Sequence, residues 1–274
     1  IPETRNGLNE ILGSLILKNL GFITPETFQV NVNVNNHRSK MIFQEDSQKE
    51  LLERNSKREG PIFEGDETIL WREDSKGRGG FSGDLENLSL SRLVNYKWFL
   101  KGESSQAITL SALSKLQKAY LERLSLSDAT YYLNPNNSKN DIFADYRFLL
   151  LAMNGVHALR PHNMKFYYNS FENKFEPIYY DGDIDMNYWN NKEILIFNFE
   201  KINFENDYEY KNFILNEEKI FINNIIMEFK MRVLDYDTKT EKFINQGINN
   251  FLSNSKYIQR KLKDRKPKIF AKKN

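Results

Sequence analysis

Leu8, Ile11, Leu12, Leu15 and Ile16 recur at three- and four-residue steps, the spacing that gathers apolar side chains on one face of an α-helix. Gly21 follows as a stop signal, so Leu8 to Asn19 predicts a helix. After the turn signal Thr24-Pro25 the period changes to two. Phe28, Val30, Val32 and Val34 alternate with Gln29, Asn31, Asn33 and Asn35, the mark of a half-buried strand. Asn35-Asn36 is a hairpin signal, with Lys40 to Glu45 as the returning strand. Ser47 to Lys57 reads as a helix, Glu45 and Lys49 being spaced to face each other, and Gly60 to Glu67 as a short strand and turn. The glycine-rich stretch Ser75 to Gly83 predicts a loop; its spacing matches neither a dinucleotide-binding nor a Walker loop.

Helical periodicity dominates afterwards. Ser111 to Leu124, Asp141 to Met153, Glu217 to Leu234 and Glu241 to Leu262 carry it, and Asn134 to Asn140 breaks the first two apart. One hairpin interrupts them: Met164 to Asn169 and Lys174 to Tyr180 are aromatic-rich runs around the turn Ser170 to Asn173. In an antiparallel hairpin the residues before the first strand and after the second lie side by side. Pro161-His162-Asn163 should therefore adjoin Asp181-Gly182-Asp183. The expected fold class is α+β.

Composition narrows the chemistry. With 274 residues, 40% hydrophobic and 28% charged, the chain can bury a core. The absence of cysteine removes disulfides, thiolate nucleophiles and zinc–thiolate sites. A formal net charge of +2 is too small for a nucleic-acid footprint over the whole surface, so nucleic acid is not the expected partner. The basic stretch Lys256 to Lys273 reads as a solvated terminus. The longest apolar run, Phe148 to Met153, is core-helix material and far short of a membrane span. A first residue that is Ile1 and not Met leaves room for an upstream signal or domain, so the expected protein is soluble with its compartment open.

Two of the three histidines fall in His157-Ala158-Leu159-Arg160-Pro161-His162-Asn163, just ahead of the hairpin. An amide oxygen and a carboxylate brought together by the hairpin, as from Asn163 and the Asp181-Gly182-Asp183 turn, are the hard oxygen donors that magnesium, manganese or calcium prefer, particularly when phosphate adds more. Arg160 is a phosphate partner, and His157 and His162 are proton acceptors. Together these are parts for phosphoryl transfer. The plainer alternative is an ordinary Asp-Gly turn beside a His-Asn pair that satisfies loop backbone. His37, at a hairpin turn, reads as a surface residue. Asp183-Ile184-Asp185 lacks the glycine and terminal glutamate of a calcium loop. Trp189, Tyr179 and Tyr180 can stack a base, although aromatics around a hairpin are more often core.

Leu159 to Asn163 is similar to the end of a kinase catalytic loop, and Asp181-Gly182 resembles the metal-binding aspartate of the DFG element. The order NGLNEILGSLILKNLG, VNVNVNNHRSKMIFQED, GPIFEGDE and HNMKFYYN…KFEPIYYDGDID, between about Arg5 and Asp185, resembles the CotH family of atypical, spore-coat-associated protein kinases. The resemblance implies one two-lobed kinase-like domain, residues 1–100 forming a small strand-bearing lobe and 101–274 a larger helical lobe that contains the hairpin. It implies ATP with magnesium or manganese, and transfer of the γ-phosphate to a serine or threonine hydroxyl of a protein substrate. By motif position Asn163 and Asp181 would hold metal with Asp183 assisting. Glu45 and either Lys40 or Lys49 would face the nucleotide. A secreted or spore-surface location would follow from the family alone. Two departures stand out. Ala158 occupies the position of the catalytic aspartate, leaving His157 as the substitute base, and Glu64 stands where related sequences carry a basic residue. A pseudokinase that binds nucleotide or partner without turnover is therefore the alternative. A metal-dependent phosphohydrolase or nuclease built on Asp181, Asp183, Asp185 and His162 is the third reading.

Overall fold

The computed structural model describes residues 7–79, 90–124, 133–138, 141–186 and 218–264, with positions 195, 196, 199 and 202. Helix α1 runs Gly7–Asn19 and buries far more than one stripe: Asn9, Gly13 and Ser14 are covered along with Ile11, Leu12, Leu15, Ile16 and Leu17. The small residues mark a second contact face. Strands β1 (Thr27–Val34) and β2 (His37–Gln44) form a hairpin with Val34 opposite His37. The loop residues Asn35 and Asn36 have φ of 50° and 65°, the left-handed pair that a two-residue loop matched to strand twist requires.

Next come α2 (Lys49–Arg54), β3 (Ile62–Gly65), α3 (Thr68–Asp74), β4 (Ser91–Leu93), α4 (Tyr96–Phe99) and α5 (Glu103–Leu124). Helix α6 (Ile142–Ala152) is started by Asp141, whose carboxylate accepts from the Phe143 and Ala144 amides at 3.0 and 3.4 Å. One 3₁₀ turn, Val156–Leu159, leads into β5 (Lys165–Asn169) and β6 (Lys174–Ile178). Helices α7 (Glu218–Arg232) and α8 (Thr238–Asp264) follow. None of these helices is long and apolar enough to cross a membrane.

The order β4-β3-β5-β6 makes one antiparallel sheet. Strands from both sides of residue 100 therefore share a ladder, and Glu64 stands directly opposite Lys165. Successive strand residues point to opposite faces. Phe63, Phe166, Tyr168 and Phe175 pack on one side with Ala112, Leu116 and Tyr120 of α5. Ile62, Tyr167 and Ile178 pack on the other with Ile23, Leu51 and Leu52. With both faces covered, β5 is apolar and aromatic without clean alternation. A third core joins α1, α6, α7 and α8 through residues such as Leu12, Leu149, Phe229 and Phe251.

The mixed α+β class holds. Helix α5 begins at Glu103 and not at Ser111, because its first turns bury Ser105 and Thr109, polar residues that apolar periodicity ignores. Their hydroxyls bond to backbone carbonyls, Ser105 to Gly102 at 2.8 Å and Thr109 to Ser105 at 2.7 Å. Helix α3, helix α4 and strand β4 were not legible; each is short and takes its place from neighbours. Trp189 and the basic stretch beyond residue 264 lie outside the described residues.

Candidate functional site

The segment His157 to Asn163 is held from three directions. From within, the Asn163 side-chain amide donates to the His157 carbonyl at 3.2 Å, and the Asn163 backbone amide to the Arg160 carbonyl at 2.9 Å. Arg160 is extended, with φ −65° and ψ 136°, as the residue before a proline must be. From α5, the Tyr120 hydroxyl donates to the Pro161 carbonyl at 2.7 Å. From β3, Gly65 lies so close that a Cβ there would sit 2.1 Å from the Pro161 oxygen and 2.4 Å from His162 Cα. The Gly65 amide bonds to the Met164 carbonyl at 3.0 Å. Burial pushes the Tyr120 hydroxyl far above its ordinary ionisation range, so it stays a donor. Tyr120→Phe should cost about 1–2 kcal/mol, since a buried carbonyl loses its partner; urea unfolding of variant and parent checks this, and equal midpoints would show that the bond is idle.

At the other end of the hairpin, Asp181 and Asp183 have φ of 48° and 49°, in the left-handed region that non-glycine residues enter at a cost. Asp181 Oδ2 lies 3.5 Å from His157 Nε2. His157, Arg160, His162, Asn163 and Asp181 line a single cavity of about 490 Å³, within the size range of small-molecule sites. The hairpin does bring its two flanks together.

Three other elements complete the lining, and sequence reasoning missed them: Glu10 from α1, Ile42 and Gln44 from β2, Trp71 from α3 with Glu67 just ahead of that helix. Tyr180 lines the cavity too. The Trp71 indole donates to Glu67 at 3.0 Å. The one signal in reach was the small and polar second face of α1.

The anticipated nucleotide residues lie elsewhere. Lys40 pairs with Asp235, Lys49 with Glu53 at 3.1 Å, and Glu45 with Arg54; none lines the cavity. Asp183 is exposed and also outside the lining. Among the described residues no three His, Asp or Glu side chains gather as a metal cluster.

Lys165, two residues after Asn163, is only 8% exposed. It meets Glu64 at 3.1 Å and Ser47 at 3.4 Å, with its ammonium 3.8 Å from the centre of the Tyr180 ring. The acid at position 64 is thus answered across the ladder by Lys165, and by Arg92 at 2.7 Å. Ala158 is 1% exposed and belongs to the α1–α6 core. A carboxylate at that position would enter apolar surroundings, whereas His157 beside it reaches the cavity. His162 is 4% exposed. Burial pushes its imidazole down to about 4, with Arg160, His157 and Arg123 adding to the effect, so it is neutral at neutral pH.

Comparison with models of known protein families and with curated proteins finds no match to this chain.

Proposed function

We propose that this cavity binds a metal–nucleotide complex and that the protein is a CotH-type, kinase-like phosphotransferase acting on a protein serine or threonine hydroxyl, its cleft lying between a strand-bearing and a helical lobe. The observation that carries the reading is the meeting of Asn163 and Asp181, with Arg160 and His157, in one cavity. An amide oxygen and one carboxylate suit magnesium or manganese, which are commonly held by one or two carboxylates together with substrate phosphates and not by an all-protein cage. Asn163 and Asp181 would hold the ion, which supplies neutralisation of phosphate charge when bound. Arg160 would bind phosphate oxygens. His157 would take the substrate hydroxyl proton as that oxygen bonds to the γ-phosphorus, the bond to the β–γ bridging oxygen breaks and ADP leaves. Asp181 at 3.5 Å stabilises the imidazolium that results.

Thermal unfolding with ATP and Mg²⁺ or Mn²⁺ tests the reading, because a ligand of the native state raises apparent stability. A shift of several degrees is expected in the parent and none in Asp181→Asn. Absence of any shift in the parent would end this reading. Transfer of labelled γ-phosphate, lost in His157→Ala, separates a kinase from a binding module. Binding without transfer selects the pseudokinase alternative. The hydrolase alternative finds less support: Asp183 is exposed and Asp185 accepts from Asn9 at 3.4 Å, so the three aspartates do not converge.

A further inference from the structure

We infer that Glu10 of α1 is a positioning residue that holds the Asp181 turn in its ligand-binding shape; this rests on the metal–nucleotide reading above. The Glu10 carboxylate spans the turn. Oε2 accepts from the Tyr179 hydroxyl at 2.5 Å, and Oε1 accepts from the Ile184 amide at 3.1 Å. These two donors flank Asp181 and Asp183, the left-handed residues. An unclamped Asp-Gly-Asp segment would relax toward ordinary φ, since the left-handed region is unfavourable for a residue with a Cβ. Packing sets the depth of the clamp. A Cβ on Gly182 would lie 2.6 Å from the Tyr179 oxygen, and one on Gly13 would lie 2.0 Å from Ile184 Cδ1. Helix α1 therefore touches the turn through a carboxylate at one point and a bare glycine at the next. Burial and the Glu10 charge both raise the Tyr179 hydroxyl well above its ordinary range, so it remains the donor. Glu10 also lines the cavity beside Asp181, so its two bonds act on the same turn that presents the ligand carboxylate.

The chain therefore orients Asp181 through a residue more than 150 positions earlier in sequence, in the manner of outer-sphere partners that set a metal ligand's direction. Calorimetric titration of the ligand-free protein with Mn²⁺–ATP should show Glu10→Gln binding about 10- to 100-fold more weakly than the parent, the usual cost of losing such a partner. Hydrogen exchange without ligand should show faster exchange of the Ile184 amide in the variant. Tyr179→Phe keeps the charge and removes one donor; it should shift both readouts in the same direction by less, and it serves if Glu10→Gln fails to fold. Equal affinity in parent and Glu10→Gln, with binding lost in Asp181→Asn, would overturn the role of Glu10 and leave the nucleotide reading standing. If the parent binds no nucleotide, that reading falls, and unchanged Ile184 exchange in both variants would then overturn the clamp as well.

Discussion

Gly65→Ala is expected to lower stability by about 3 kcal/mol, the upper part of the overpacking range, and to abolish nucleotide binding at the same time. The atoms its methyl would meet, the Pro161 carbonyl oxygen and His162 Cα, are backbone and have no rotamer by which to move aside. Either β3 separates from β5 at its Gly65 end or the His157 to Asn163 segment shifts bodily, carrying Asn163 away from Asp181. Gly21→Ala is the matched control. Gly21 has φ of 85° and nothing within 4 Å of the added carbon, so its cost is conformational alone, about 1 kcal/mol. Urea unfolding of the two variants decides the matter: a Gly65→Ala midpoint no lower than that of Gly21→Ala would mean that the close approach is not a constraint in solution.

Acid should weaken the fold through His162. The unfolded imidazole titrates near 6.5 and the folded one near 4. Above pH 6.5 both states are neutral and the full stability is present. As pH falls from 6.5 towards 4 the unfolded chain takes up a proton that the folded one refuses, and stability declines. Below about 4 both states are protonated and the loss is complete, on the order of 3 kcal/mol. Carboxylates titrate in part of the same window, so the comparison must be with His162→Gln, which has no proton to gain. Its stability, measured by denaturant unfolding at pH 7, 6, 5 and 4.5, should fall less steeply than that of the parent. Parallel curves would remove His162 from the account of acid sensitivity.

What could be read in advance follows a physical division. Helix α1, the β1–β2 hairpin and the β5–β6 hairpin are local, with periods and turn residues written within about twenty positions. The meeting of Asn163 with Asp181 is a local consequence of the second hairpin, which is why it was foreseeable. Glu10, Gln44, Glu67 and Trp71 reach the cavity through tertiary packing, which the sequence hints at only in the small and polar second face of α1. Lys40 and Lys49 are candidates through the family resemblance alone, and in the fold each pairs with a carboxylate at the surface. Lys165 was missed because a lysine at the head of an aromatic strand looks like a surface residue until its cross-strand partner Glu64 is known. Position 158 is the reverse case: motif alignment marks it as a place where a catalytic aspartate is missing, and the 3₁₀ turn directs that side chain into the core.

The packing of α1 against α7 and α8 also matters before the protein is finished. Lys18 meets Glu228 at 2.6 Å, Arg232 meets Glu26 at 2.8 Å, and Leu12 and Ile16 share a core with Phe229 and Phe251. Synthesis is vectorial, at about 5–20 residues per second, so α1 leaves the ribosome on the order of tens of seconds before its covering helices. Throughout that interval the part of α1 that packs on α7 and α8 lacks its native cover, although β1, β2 and α6 can already pack on the rest. A nascent chain of this protein therefore exposes part of a Leu- and Ile-rich helix until its last two helices have emerged.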